Sequence, residues 1–340
     1  MRQDIAGRGP ATEGAAASNR AASNDPSDLV RGLYGAYVTI PTLFKGWDYE
    51  LDLSATRKHM HFLIEGGLRA ENAVILSGGA AGDLSTMTFD ERLKVAEMVI
   101  EAAEGRLLVV MDAQTTSTLE LVRLAKAAER LGARYIQVSS PFYFEHTEED
   151  FFEFVRAGSE AANVGLVIYN TYWTSANVSL ELAERLAKLK NVVVLKWATP
   201  RTDAMEFERV ITRFRDRLCM IDNHIQYAVS HMLGARGVEA HSVLYWPEWG
   251  VELWRLLGDH RYEEVQKQIM RVASPFYALW TEMQRYTAGD GYLDKLCLEL
   301  IGLPGGPCRP PTRDLREPFR NKARQMLLKA GVPRVSTGDA

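Results

Sequence analysis

GLVIYNTYWTSANVSLELAERLAKLKNVVVLKWATP (165–200) contains one complete strand–helix–strand unit. GLVIY (165–169) and VVVLK (192–196) are short apolar runs with no polar alternation, the pattern of strands buried on both faces. Between them, LELAERLAKL (180–189) carries leucine and alanine at helical spacing. A helix linking two such strands is the crossover of a parallel sheet. The second strand runs straight into Lys196. An ammonium so placed must be paired, solvated or put to chemical use, because burying it alone costs several kcal/mol.

The unit recurs along the chain. YGAYVTI (34–40), AVILS (73–77), LLVVM (107–111), RYIQVSS (134–140), LCMID (218–222) and GVEAH (237–241) complete a set of eight apolar runs. Helix-period stretches separate them, of which LELVRLAKAAERLG (119–132) is the clearest, with Gly132 as its stop signal; ERLKVAEMVIEAAEG (91–105) behaves likewise. Eight alternations predict an α/β fold, a (β/α)8 TIM barrel, better than an open doubly wound sheet. From 248 onward no strand is expected, only helices such as EWGVELWRLLG and YLDKLCLELIG. The expected organisation is a disordered tail over 1–30, the barrel over 31–247, a C-terminal helical extension over 248–332 and a short disordered tail over 333–340. The first tail is rich in Ala, Gly, Ser and Asn and has no apolar period.

Composition excludes several classes. A net charge of −4, from 40 basic and 44 acidic residues, offers no electrostatic reason to expect nucleic acid or an anionic membrane as partner. No apolar stretch is long enough to suggest a membrane span. Cys219, Cys297 and Cys308 are sparse, widely spaced and odd in number, which reads as reduced thiols in a cytoplasmic protein. SGGAAGD (77–83) is not a dinucleotide-binding loop.

Chemistry in a barrel sits at the C-terminal ends of its strands. The fifth run ends in Tyr169 and the sixth in Lys196. Desolvation favours the neutral amine of a lysine, which attacks carbonyls to give an iminium, and a phenol within reach can move the protons. The unreactive alternative is a lysine that simply emerges into solvent.

These residues, taken in order, resemble the N-acetylneuraminate lyase and dihydrodipicolinate synthase family of class I aldolases. Tyr169-Asn170 matches the family's Tyr-Asn, and LKWAT matches I-K-E-A-T with Lys196 at the Schiff-base position. SPFYFEHTEEDFFEFV resembles the stretch after the fourth strand, and GLPGGPCRPP (302–311) the late G-x-x-G-G-P-x-R-P-P turn. The resemblance spans roughly 34–332. It implies a barrel with a helical C-terminal segment in a homo-oligomer, a dimer or tetramer. Lys196, Tyr169 and Tyr143 would be catalytic, Tyr143 reaching a neighbouring subunit's site. The partners implied are a 2-oxo acid such as pyruvate and an aldehyde, with no cofactor beyond the lysine imine and no metal.

Departures from the pattern point to a different substrate. The loop usually carrying hydroxyls for the 2-oxo acid carboxylate is Gly79-Ala80-Ala81-Gly82-Asp83, so carboxylate binding would rest on backbone amides. Where the synthase carries an arginine, this chain has Tyr172, Trp173, Thr174, Ser175 and Ala176, which argues against dihydrodipicolinate synthesis. Asp222, His224, Glu239 and His241 form an unusual polar set at the ends of the last two strands. Strand alternation places Glu239 and His241 on one face, as an acid/base pair or as contacts to a hydroxylated substrate. Their ligand types also admit a metal, and a bland alternative is a hydrogen-bonded network. Three functions remain open: a class I aldolase or lyase, a hydro-lyase using the same imine, and a non-catalytic ligand-binding barrel.

Overall fold

The computed structural model describes residues 24–202 and 205–336. Eight parallel strands close into a barrel in sequential order: β1 (Gly35–Ile40), β2 (Ala73–Ser77), β3 (Leu108–Asp112), β4 (Tyr135–Ser139), β5 (Gly165–Tyr169), β6 (Val192–Trp197), β7 (Cys219–Asp222) and β8 (Gly237–Glu239), with β8 pairing back to β1. All six residues of β6 are buried, as its unbroken apolar run demands. An antiparallel ribbon, Phe44–Lys45 with Glu50–Leu51, is added after β1 and was not foreseen.

Helices α2 (Leu53–Glu65), α3 (Phe89–Ala103), α4 (Thr118–Leu131), α5 (Glu148–Ala161), α6 (Leu180–Leu186), α7 (Glu206–Phe214) and α8 (Tyr227–Leu233) form the outer ring. Their ends obey local chemistry. Ser117 caps α4 and Gly132 closes it in the left-handed region, at φ 82°. Thr147 and Asp150 make a reciprocal capping box on α5. On α4, Leu121, Leu124, Ala125 and Ala128 face the sheet. Each leucine so buried contributes about 1.5–3 kcal/mol.

The N-terminal stretch is only partly the tail expected of it. Residues 26–32 form a helix, α1 (Pro26–Gly32), numbered first because it precedes β1. Asp25 caps it and Pro26 opens it, where the missing N–H costs nothing. Leu29 and Leu33 are buried with the inward residues Tyr37, Val110, Tyr135 and Val167, and Tyr135 Oη donates to the Leu29 carbonyl at 2.8 Å. Thus α1 plugs the N-terminal mouth of the barrel. The remainder of the expected tail, 1–23, lies outside the described residues.

The C-terminal segment comprises α9 (Pro247–Gly258), α10 (Tyr262–Gln268), a π-helical turn (Ile269–Ala273), α11 (Ser274–Met283), α12 (Tyr292–Leu300) and α13 (Arg316–Ala330). It shares one hydrophobic core with β1, β2, β8 and helices α2 and α3. Buried Lys295 of α12 donates to Asp83, in the loop after β2, at 2.7 Å. Arg309 forms a two-pronged pair with Glu91 of α3. The expected second tail is ordered at its start, since the Ser336 amide donates to the Leu300 carbonyl at 2.9 Å; 337–340 lie outside the described residues. Cys219, Cys297 and Cys308 are free and buried. Among the described residues no helix is long and apolar enough to cross a membrane.

Since Leu29 is only 1% exposed, Leu29→Ala should lower unfolding free energy by about 2–5 kcal/mol in urea titrations. A change within experimental error would show that α1 does not seal the barrel.

Candidate active site

Lys196, the penultimate residue of β6, has only 2% of its surface exposed. Its ammonium is caged on three sides. The Tyr169 ring centroid lies 4.3 Å from Nζ and the Tyr37 centroid 4.7 Å. On the third side Nζ forms an ion pair with Oε2 of Glu239. The expectation that desolvation alone governs this lysine is therefore incomplete: a carboxylate offsets its burial. Alternation explains the meeting, since Val238 and Ala240 pack outward in the helix-side core and leave Glu239 facing in. Alternate strands fill a common layer of a barrel, which lets β6 and β8 meet across β7.

Each member of the cage is held from behind. Thr39 Oγ1 donates to Glu239 Oε1 at 3.2 Å, and Tyr227 Oη donates to the Glu239 backbone carbonyl. Tyr37 Oη donates to Gln137 Oε1 at 3.0 Å, and Gln137 Nε2 continues the chain to Gln114 at 2.9 Å. Asn223 Nδ2 donates to Tyr169 Oη at 3.2 Å, leaving the phenolic proton of Tyr169 available. Burial, and after it the Glu239 charge, push the Tyr37 and Tyr169 phenols well above their ordinary value, so both stay protonated donors.

The loop after β2 turns through Gly78 and Gly79, at φ 90° and 75°. Gly82 must lack a side chain, because a Cβ there would lie 2.1 Å from the Gly78 carbonyl oxygen. Ala80 is exposed and Ala81 buried. Among the described residues no hydrogen bond engages the Ala80 or Ala81 amide, which leaves a short nest of free N–H groups. Thr42 fixes the loop through the Gly82 carbonyl at 2.7 Å, and Lys295 fixes it through Asp83.

The other residues singled out in the sequence are distributed more widely. Trp173 is half exposed and packs edge-on against Tyr169, with centroids 5.7 Å apart. Thr174 spends its hydroxyl on the Thr171 carbonyl at 3.1 Å, so it shapes its own turn. Asp222 departs from the expectation of a substrate contact: it is fully buried, with one oxygen on the His224 amide and the other on Ser230 Oγ at 2.8 Å. His224 stacks on Phe207 and lines a cleft of about 650 Å³ with Arg201, Gln266, Met270 and Tyr277. Tyr143 is 88% exposed with φ 91°, and its ring packs edge-on against Phe144. Among the described residues no group of three or more His, Cys, Asp or Glu is gathered as for a metal ion.

His241 does not extend the strand face it was assigned to. β8 stops at Glu239, and His241 opens a 3-10 turn, His241–Leu244. Its ring stacks on Phe276 of α11 and its Nδ1 lies 2.9 Å from Asp294 Oδ2 of α12. Burial alone would lower this imidazole, but the Asp294 charge, helped by Asp290 and Glu239, lifts it from 6.5 to about 10. Asp290, in the turn before α12, has its carboxyl raised by burial to about 6, and it feels both His241 and Lys196. Thr39, Tyr37, Asp290 and Asp294 were not singled out from sequence. For the first two, alternation within YGAYVTI was the available signal; for the acids nothing local was.

Because His241 is more basic folded than unfolded, the stability it contributes is complete below about pH 6.5 and is lost as pH rises through about 10. Urea midpoints measured across that window should fall for the wild type, and Asp294→Asn should flatten the fall.

Comparison with known proteins agrees with this architecture. The Dihydrodipicolinate synthetase family model matches residues 33–330. A 4-hydroxy-tetrahydrodipicolinate synthase of Thermotoga petrophila is 36% identical over 174 residues, 51% of this chain and 57% of that protein. The alignment thus spans little more than half the length of that curated relative. Among solved structures, dihydrodipicolinate synthase from Acinetobacter baumannii complexed with pyruvate superposes with a TM-score of 0.77 at 24% identity, covering 88% of this chain and 99% of that one. CdNal from Clostridium difficile, in complex with mannosamine, gives 0.77 at 17% identity, again over 88% and 99%. At such identities the two structures speak for the fold. The family match covers nearly all of the barrel and its helical extension, and on that ground the chain belongs to the dihydrodipicolinate synthetase family.

Proposed function

We propose that this protein is a class I aldolase-type lyase that makes or breaks a C–C bond beside the keto group of pyruvate or a related 2-oxo acid. The observation that carries the reading is the caged amine of Lys196, with Tyr169 against it at a barrel's catalytic end. Nζ attacks the keto carbon, the keto oxygen leaves as water, and an iminium remains. Its pull on electrons lets the C3–C4 bond of an aldol break to an enamine and an aldehyde, or form in the reverse direction. Tyr169 exchanges the proton with the aldehyde oxygen. The Ala80 and Ala81 amides receive the 2-oxo acid carboxylate. The imine itself is the electron sink, so no separate cofactor is called for.

Exposed Tyr143 would serve a neighbouring copy in a homo-oligomer. The second substrate is not the charged aldehyde of dihydrodipicolinate synthesis. Thr174 stands where the resemblance would place an arginine, and Trp173, packed on Tyr169 with Tyr172 against it, favours a less charged, aromatic or extended partner.

A hydro-lyase is the second reading, favoured by the His241–Asp294 pair. A protonated imidazole can hand a proton to a hydroxyl leaving from the carbon next to C3. Product analysis on 4-hydroxy-2-oxo acids separates the two, since cleavage releases an aldehyde and elimination releases only water.

Sodium borohydride added with pyruvate should leave a reduced adduct on Lys196, located by peptide mass spectrometry and absent from Lys196→Ala. Failure to trap any of a panel of 2-oxo acids would leave only ligand binding. Tyr169→Phe should still trap pyruvate while turnover falls about 100- to 10,000-fold.

A further inference from the structure

We propose that Glu239 is a catalytic residue, the proton acceptor and donor for imine formation at Lys196. The proposal rests on the Schiff-base reading above and assigns a role that the reading leaves empty. Forming an iminium from an ammonium requires two protons to leave Nζ and a hydroxyl to leave carbon as water. The nearest acceptor is Oε2 of Glu239, which forms the ion pair with Nζ and has no other hydrogen-bond partner. The opposite oxygen, Oε1, is held by Thr39 at 3.2 Å, which aims the free lone pairs of Oε2 at the amine. The Tyr227 hydroxyl on the Glu239 carbonyl fixes the backbone beneath. Ala80 and Ala81 have no hydroxyl that could carry the proton instead.

The step balances without an outside reagent. Oε2 takes one proton from the Lys196 ammonium, and the free amine adds to the keto carbon. The keto oxygen receives the proton held by Glu239, giving a carbinolamine. A second Nζ proton passes through Glu239 to that hydroxyl, which departs as water. The C=N bond replaces the C=O bond, the iminium keeps the positive charge, and Glu239 returns to its carboxylate. The ion pair is thus a resting state poised for transfer. Thr39 acts only through Glu239 and is a positioning residue.

The experiment is rapid-mix borohydride trapping of pyruvate on the full-length protein. Glu239→Gln, which keeps the shape of the side chain, should form the adduct at least about 100-fold more slowly than wild type. Glu239→Ala should be equally slow and should recover with added formate, in proportion to its concentration, because a small carboxylate fits the space left. Thr39→Val, a milder change that tests the same carboxylate should the Glu239 variants fail to fold, should slow trapping several-fold, and formate should not help. Trapping by Glu239→Gln at the wild-type rate overturns the proposal, as does a slow Glu239→Ala that formate leaves unchanged. An unaffected Thr39→Val overturns the aiming role of that hydroxyl. Absence of any adduct on the wild type is a separate outcome, one that removes the Schiff-base reading itself.

Discussion

The constraint on which the site depends is the burial of one ammonium. Lys196 sits almost wholly inside a strand flanked by apolar residues, where an unpaired charge would neutralise or unfold its surroundings. Everything around it is arranged to make that burial tolerable. Two aromatic faces and one carboxylate meet Nζ, and each is tied to a different strand. A pair of this kind contributes little net stability, yet losing one partner strands the other. The arrangement therefore specifies geometry more than it adds to folding free energy.

A second buried lysine follows the same logic in a different role. Lys295 is on the C-terminal segment, yet its partner Asp83 is on the loop that carries the free Ala80 and Ala81 amides. Gly291, at the start of α12, is so close to that loop that a Cβ would lie 2.4 Å from the Ala81 carbonyl oxygen. The helical extension consequently sets the shape of the loop with the free amides, and through Asp290 and Asp294 it also sets the charge near His241. It is a wall of the site, not an appendage to the barrel.

This division explains what could be read from the sequence. The eight strands were legible because burial on both faces forces continuous apolar runs, and the boundaries of AVILS and GLVIY coincide with β2 and β5. Glu239 was legible because strand alternation is strict. His241 was not, since the strand ends two residues earlier and a 3-10 turn redirects the ring. α1 escaped because PSDLVRG is short, and its Asp25 cap and its leucines are diluted by a polar, alanine-rich leader. Asp290 and Asp294 reach the site only through the packing of α11 and α12 against the 3-10 turn that follows β8, a long-range fact with no local signature.

The two charged pairs in this region also differ in what they can do. Lys196–Glu239 joins two strand ends, both held rigidly by the barrel ladder, so its proton can move without the backbone following. His241–Asp294 joins a 3-10 turn to a helix of the extension, so its charge depends on how that helix seats. The first pair is fixed by hydrogen-bonded sheet and the second by side-chain packing on Phe276 and Tyr277. Under the proposed lyase reading, chemistry common to every substrate falls on the rigid pair, where a small misplacement would be costly. The second pair's packing can be altered without disturbing the lysine, which under the proposed lyase reading makes it the place for discrimination between substrates. That separation lets one barrel keep its buried lysine while the residues around the mouth change.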